Sequence, residues 1–160
     1  MSYESVKGYF EHAGLGDRLM LLEHSSATVG EAAEAIGCET RQIAKTLSFL
    51  ADGCALLIVV AGDARVDNQK YRETFRTKAK MIPADEVEHF IGHAPGGVCP
   101  FVIHTGVRVY LDVSLRRFPI VYPAAGSDHS AVRLTPEELE RLSHAAGWVD
   151  VCRGWQETRE

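Results

Sequence analysis

The densest cluster of chemistry-bearing residues is Gly92-His93-Ala94-Pro95-Gly96-Gly97-Val98-Cys99-Pro100-Phe101. Two prolines bracket a glycine pair. Proline holds φ near about −65°, and glycine accepts positive φ and the close approach of another molecule. Such a loop can turn successive backbone N–H groups toward an oxyanion or a carbonyl oxygen. The same residues also make an ordinary turn between a helix and a strand. A second candidate is Lys45, set among Ile43, Ala44 and Leu47. A lysine in apolar company either aims its ammonium into a cleft, as a point charge for a phosphate or carbonyl oxygen, or lays its stem on the surface with its head in water.

Between residues 65 and 80, Arg65, Lys70, Arg72, Arg76, Lys78 and Lys80 face only Asp67 and Glu73, a net +4 on a chain of formal charge −5. A local basic stripe on an acidic protein suits contact with one stretch of nucleic-acid backbone. It also suits a solvated helix face. Cys99, with His93 or His104 as base, permits a thiol-nucleophile reading, although no protease signature surrounds it. Asp112 follows an apolar run and either orients a substrate amine or caps the next turn; spacing alone favours the turn. The histidines form no H-x-x-x-H pair on a helix, since Gly92 interrupts the one such spacing, His89 to His93, and they share no metal-ligand spacing with the cysteines. Neither G-x-x-x-x-G-K-[ST] nor G-x-G-x-x-G occurs, so no metal, nucleotide loop or other cofactor is expected.

These residues need elements to position them. Val6, Tyr9, Phe10 and Ala13 share one face of a helix over about 2–13, ended by Gly14 and Gly16. Leu19 to Glu23 reads as a strand. Thr28 and Glu31 form a capping box for a helix that stops at Gly37. The stretch Ile43 to Leu50 carries both helix and strand signals. Ala55 to Val60 is an unbroken apolar run, the pattern of a buried strand. Asp67 to Phe75 reads as a polar helix and Lys80 to Ile82 as a short strand. Val87, Phe90 and Ile91 have helical spacing, closed by Gly92. Strands follow at Val107 to Leu111, Phe118 to Tyr122 and Ala131 to Leu134. Thr135, Pro136 and Glu138 open a last helix with Leu139 and Leu142 on its inner stripe. Trp148 to Val151 adds an edge strand. Strands crowd the second half, so the βα alternation is too irregular for a doubly wound parallel sheet. The expectation is an α/β fold, a single domain over 1–160 with a mixed β-sheet flanked by helices.

Composition bounds the rest. The chain has 160 residues, 46% hydrophobic and 24% charged, a globular mixture. It is long enough to bury a core without disulfide or metal staples. The net charge speaks against a protein that coats duplex DNA or an anionic membrane. The longest apolar run, Cys54 to Ala61, is far short of the roughly 20 residues of a membrane span. The first residues lack a secretory pattern. Cys38, Cys54, Cys99 and Cys152 form no C-x-x-C pair, so reduced thiols in the cytoplasm are expected.

Three stretches, in order, resemble the YbaK/prolyl-tRNA-synthetase-associated editing domain family. They are Ile43-Ala44-Lys45-Thr46-Leu47, the Gly92 to Phe101 loop, and Val109-Tyr110-Leu111-Asp112-Val113-Ser114-Leu115; Leu57 to Arg65 adds a similar strand and turn. The resemblance covers about residues 20–145. It implies a YbaK-like fold and a trans-acting aminoacyl-tRNA deacylase, which hydrolyses the ester of mischarged tRNA carrying a small amino acid. Lys45, Gly96, Gly97 and Pro100 would be the catalytic positions, with Val98, Cys99 and Asp112 binding substrate. Lys70, Arg72 and Arg76 on the basic stripe would touch the tRNA acceptor end. An aminoacyl-tRNA synthetase is a second implied partner. Two positions depart from the family pattern: Cys99 stands where serine is common, and Val102 where glycine often follows Phe101. Two other readings stand beside this one. The first is a non-catalytic module that binds aminoacyl-tRNA or docks on a synthetase. The second is a thiol-dependent hydrolase using Cys99.

Overall fold

A computed structural model describes residues 2–24 and 28–155. Its centre is a hairpin, β2 (Ile43–Ala51) and β3 (Cys54–Ala61), paired antiparallel over eight residues from Ala44–Ala61 to Ala51–Cys54. Asp52 and Gly53 turn the corner, both at positive φ, the backbone of a tight hairpin turn. This pairing resolves the ambiguous Ile43 to Leu50 stretch as a strand. β5 (Arg108–Asp112) runs parallel to β3, and β8 (Gly147–Val149) runs parallel to β5 at one edge. β6 (Tyr122–Pro123) lies parallel to the start of β2 at the other. The sheet is therefore mixed, in the order β6-β2-β3-β5-β8. Two short antiparallel pairs complete it: β1 (Leu19–Leu21) with β7 (Ser130–Val132), and β4 (Arg65–Val66) with β9 (Cys152–Arg153).

From Leu56 to Ala61 every residue of β3 is buried, because helices cover both faces of the sheet. On one face α3 (Asn68–Phe75) packs Tyr71 against Phe49 and Phe75 against Tyr110, at ring distances of 5.1 and 5.0 Å. Elsewhere in the same core α1 (Ser2–His12) brings Phe10 to 4.9 Å from Phe101. α4 (Ala84–Ile91) contributes Val87 and Ile91, and α5 (Pro136–Ser143) contributes Leu139 and Leu142. The expected caps form. Thr28 and Glu31 box α2 (Val29–Ile36), Thr135 and Glu138 box α5, and Gly37 and Gly92 end their helices in the left-handed region.

Two expected strands shrink. Phe118 donates its N–H back to Leu115 O, closing the 3-10 turn Val113–Arg117, and Pro119 has no N–H to give a ladder. Pairing resumes only with a Val121–Leu134 bridge and the two residues of β6. The Lys80 to Ile82 stretch makes a single bridge, Met81 to Phe49, flanked by Leu50 N–H to Lys80 O and Ile82 N–H to Ser48 O.

Candidate functional site

The edge of β2 is covered at both ends and open in the middle. β6 pairs with Ile43 and Ala44, and the 80–82 segment pairs with Ser48 to Leu50. Between them, among the described residues, no strand covers Lys45, Thr46 and Leu47 on that side. Ser48 O and Leu50 N–H point to this edge. Backbone groups of alternate residues share a direction in an antiparallel ladder, so Thr46 presents its N–H and C=O to the gap. The Thr46 hydroxyl oxygen is buried and has no hydrogen-bond partner among the described residues. Over the gap lies a cavity of about 360 Å³, within the size range of small-molecule sites. Val29, Ala32 and Ile36 of α2 roof it; Gly96 and Val98 close one side; Ser127 and Ser130 add hydroxyls.

Lys45 and Thr46 leave opposite faces of the strand, yet both line this cavity because it wraps the strand edge. Lys45 is half-buried, and that burial pulls its pKa below the ordinary lysine value. Cys152 and Asp63 favour its charge, and Arg65 opposes it.

Of the residues singled out by sequence, Lys45, Gly96 and Val98 line the same cavity; Gly97, Cys99, Pro100 and Asp112 do not. Gly97 gives its N–H to Ala94 O at 3.0 Å. A Cβ there would come within 2.7 Å of Gly126 O, so this glycine permits close backbone packing and offers no free donor. Cys99 is fully buried behind the loop, with its thiol 3.7 Å from Phe101 O. Burial pushes that thiol up to about 12. His93 Nε2 lies 3.5 Å from that thiol, but Cys99 has no exposure and does not line the cavity, and a buried, protonated thiol is inert; the geometry speaks against the thiol-hydrolase reading. Pro100 borders a separate surface depression beside Tyr9 and Val107.

Asp112 is fully buried. Its carboxylate accepts from Ser114 N–H (3.0 Å) and Val151 N–H (2.9 Å). That bonding joins the Val113–Arg117 turn to the chain just before Cys152, the turn-capping arrangement. Lys70 is likewise engaged, with its ammonium 3.2 Å from Asp150 Oδ1 and 3.0 Å from Cys152 O; it braces β9. Arg72 and Arg76 are exposed and, among the described residues, hold no ion pair.

Thr46, Ser127 and Ser130 are the site residues that sequence reasoning missed. Thr46 adjoins the lysine, which is a usable signal; the two serines carry none. Among the described residues no group of three His, Cys, Asp or Glu side chains could hold a metal ion, and no helix is long and apolar enough to cross a membrane.

A curled mixed sheet, a lysine at a strand edge uncovered among the described residues and a Gly/Pro loop closing a small cavity define an α/β domain of the YbaK-like class. Residues 23–142 match the aminoacyl-tRNA editing domain, and the chain belongs to that family. It is 48% identical to the uncharacterized protein YwhH of Bacillus subtilis over 98% of this chain and all of that protein. A solved structure described as a proposed trans-editing enzyme for prolyl tRNA synthetase superposes with a TM-score of 0.86, at 34% identity over 96% of this chain and 98% of that one. The proline–tRNA ligase of Lactiplantibacillus plantarum is 25% identical over 88% of this chain, which spans 24% of the ligase.

Proposed function

We propose that the protein is a trans-acting aminoacyl-tRNA deacylase that hydrolyses the ester of mischarged tRNA carrying a small amino acid. One observation carries this reading: Lys45, Gly96 and Val98, about fifty residues apart in sequence, line one cavity. The terminal adenosine and its aminoacyl ester enter that cavity. Gly97 N–H is already taken by Ala94 O, so amide donors to the ester carbonyl come from Gly96 and Val98. Thr46, whose hydroxyl has no partner among the described residues and whose backbone groups face the edge, binds a polar group of the substrate. Water attacks the carbonyl carbon, helped by the neighbouring ribose hydroxyl. The acyl–oxygen bond breaks, and the ribose oxygen leaves with a proton.

Lys45 holds a phosphate or the carbonyl oxygen as a cation. The apolar roof of Val29 and Ala32 suits a small side chain. A second site of this kind has a purpose because a pocket separates amino acids that differ by one methylene by only about 1–3 kcal/mol. The partners are the acceptor end of mischarged tRNA and an aminoacyl-tRNA synthetase that produces it, in the cytoplasm; neither DNA nor a membrane is involved.

The test is a deacylation panel over tRNAs mischarged with alanine, cysteine, serine and threonine. Wild type hydrolyses at least one member. Lys45→Ala loses at least about 100-fold in kcat/KM, the scale of one electrostatic contact to the reacting group, whereas Cys99→Ser stays active. Tight binding of aminoacyl-tRNA with no turnover on any member would replace the deacylase with the non-catalytic module.

A further inference from the structure

His93 sits at the base of the Gly96–Pro100 loop and is almost wholly buried. Its Nε2 lies 2.7 Å from Phe101 O. A carbonyl oxygen only accepts, so Nε2 carries the proton and donates. The contact ties together residues on either side of the Gly96–Pro100 loop, and the same nitrogen lies 3.5 Å from Cys99 Sγ within it. The Cys99 thiol also reaches Phe101 O, at 3.7 Å. The other ring nitrogen, Nδ1, is buried and has no partner among the described residues. A phenylalanine would fill the same space without burying an orphan nitrogen, so the imidazole is costly as filler.

The next residue explains what the contact holds. Val102 has φ +53°, a left-handed backbone that a β-branched residue rarely adopts. The residue is 45% exposed, so tight packing around it does not enforce the conformation. The Phe101 carbonyl and the Val102 nitrogen belong to one planar peptide unit. Fixing the direction of the carbonyl fixes the plane about which φ of Val102 turns. Phe101 itself is anchored through its ring against Phe10.

We propose that His93 is a positioning residue: through Phe101 O it holds the strained Phe101–Val102 turn and thereby sets Gly96 and Val98 along the cavity. The kinetic consequence rests on the deacylase reading; the structural one does not.

The experiment compares wild type, His93→Leu, His93→Gln, Val102→Gly and the His93→Leu/Val102→Gly double variant. It measures amide hydrogen exchange at Gly97 and His104, whose N–H groups are bonded to Ala94 O and Ile91 O, thermal unfolding, and kcat and KM for deacylation. His93→Leu speeds exchange of the two loop amides about tenfold while β3 amides keep their protection, a local opening. It lowers kcat about tenfold and changes KM less than about threefold, as small misplacement of positioning groups does. His93→Gln, which keeps an N–H near the same place, recovers most of both losses. Val102→Gly removes the strain, so His93→Leu costs less in that background, a non-additive cycle. The inference is overturned if loop exchange in His93→Leu stays within about twofold of wild type, if glutamine rescues nothing, or if the two substitutions are additive. Should wild type deacylate nothing, the functional reading fails on its own, and the exchange and unfolding arms still decide the role of His93.

Discussion

Lys45 is a cation held where a cation is poorly solvated. Burial lowers its pKa, so between the folded and the ordinary value the folded chain binds fewer protons than the unfolded one. Stability then rises with pH across that window, and below the folded value the penalty is fully present. Lys45→Met keeps the stem and removes the charge. It should melt higher than wild type near about pH 7, and the difference should close as pH approaches about 10.4, the ordinary lysine value. Thermal melts at several pH values check this; a difference independent of pH would mean that packing, not charge, is responsible. The same trade-off applies to Thr46. Its buried hydroxyl lacks a partner among the described residues, and Thr46→Val removes that cost with little change in shape. The variant should unfold at a slightly higher temperature but bind substrate severalfold more weakly, read as a raised KM.

The elements are tied down by local chemistry that anyone can read in a sequence, reinforced by contacts that nobody can. The Thr135–Glu138 capping box starts α5, and Arg18 then grips the same glutamate with two nitrogens, at 2.8 and 3.1 Å. The hydrogen bond from Arg18 is the main cause that lowers the Glu138 pKa. A carboxylate depressed in the fold stabilises it above its unfolded value and loses that contribution as pH falls through the folded value. Arg18→Ala should therefore weaken the protein near about pH 7 and matter progressively less below about pH 4. Urea unfolding at both pH values measures it, and an equal loss at both would leave the ion pair without a role. At this scale the sequence misjudged β6, because the Phe118 N–H turns back to Leu115 and Pro119 cannot donate. It undervalued β2, whose Asp52-Gly53 turn was the signal that would have settled the strand.

For the whole molecule, the charge is unevenly placed. The chain is acidic overall, yet Arg72 and Arg76 stand exposed on and just after α3, while Lys70 is diverted to Asp150 and Cys152 O. If the acceptor end lies on this surface, Arg72→Glu with Arg76→Glu should weaken tRNA binding and flatten its salt dependence by about two counterions' worth of slope. Lys70→Gln should change stability more than affinity. Binding isotherms at several salt concentrations test both; an unchanged slope removes α3 from the interface.

Caps, the buried β3 run, the loop boundaries and the family resemblance were all local or linear properties, and the sequence determined them by itself. Helix boxes depend on residues three apart, and a strand buried on both faces announces itself as an apolar run. The tertiary structure alone decided which of the conspicuous residues face the cavity. It placed Lys45, Gly96 and Val98 around one cavity, hid Cys99 behind the loop, and bonded Asp112 and Lys70 to the chain near Cys152. The physical reason is that a side chain's role follows from what lies within a few ångströms of it. For these residues the neighbours come from strands and turns tens of residues away.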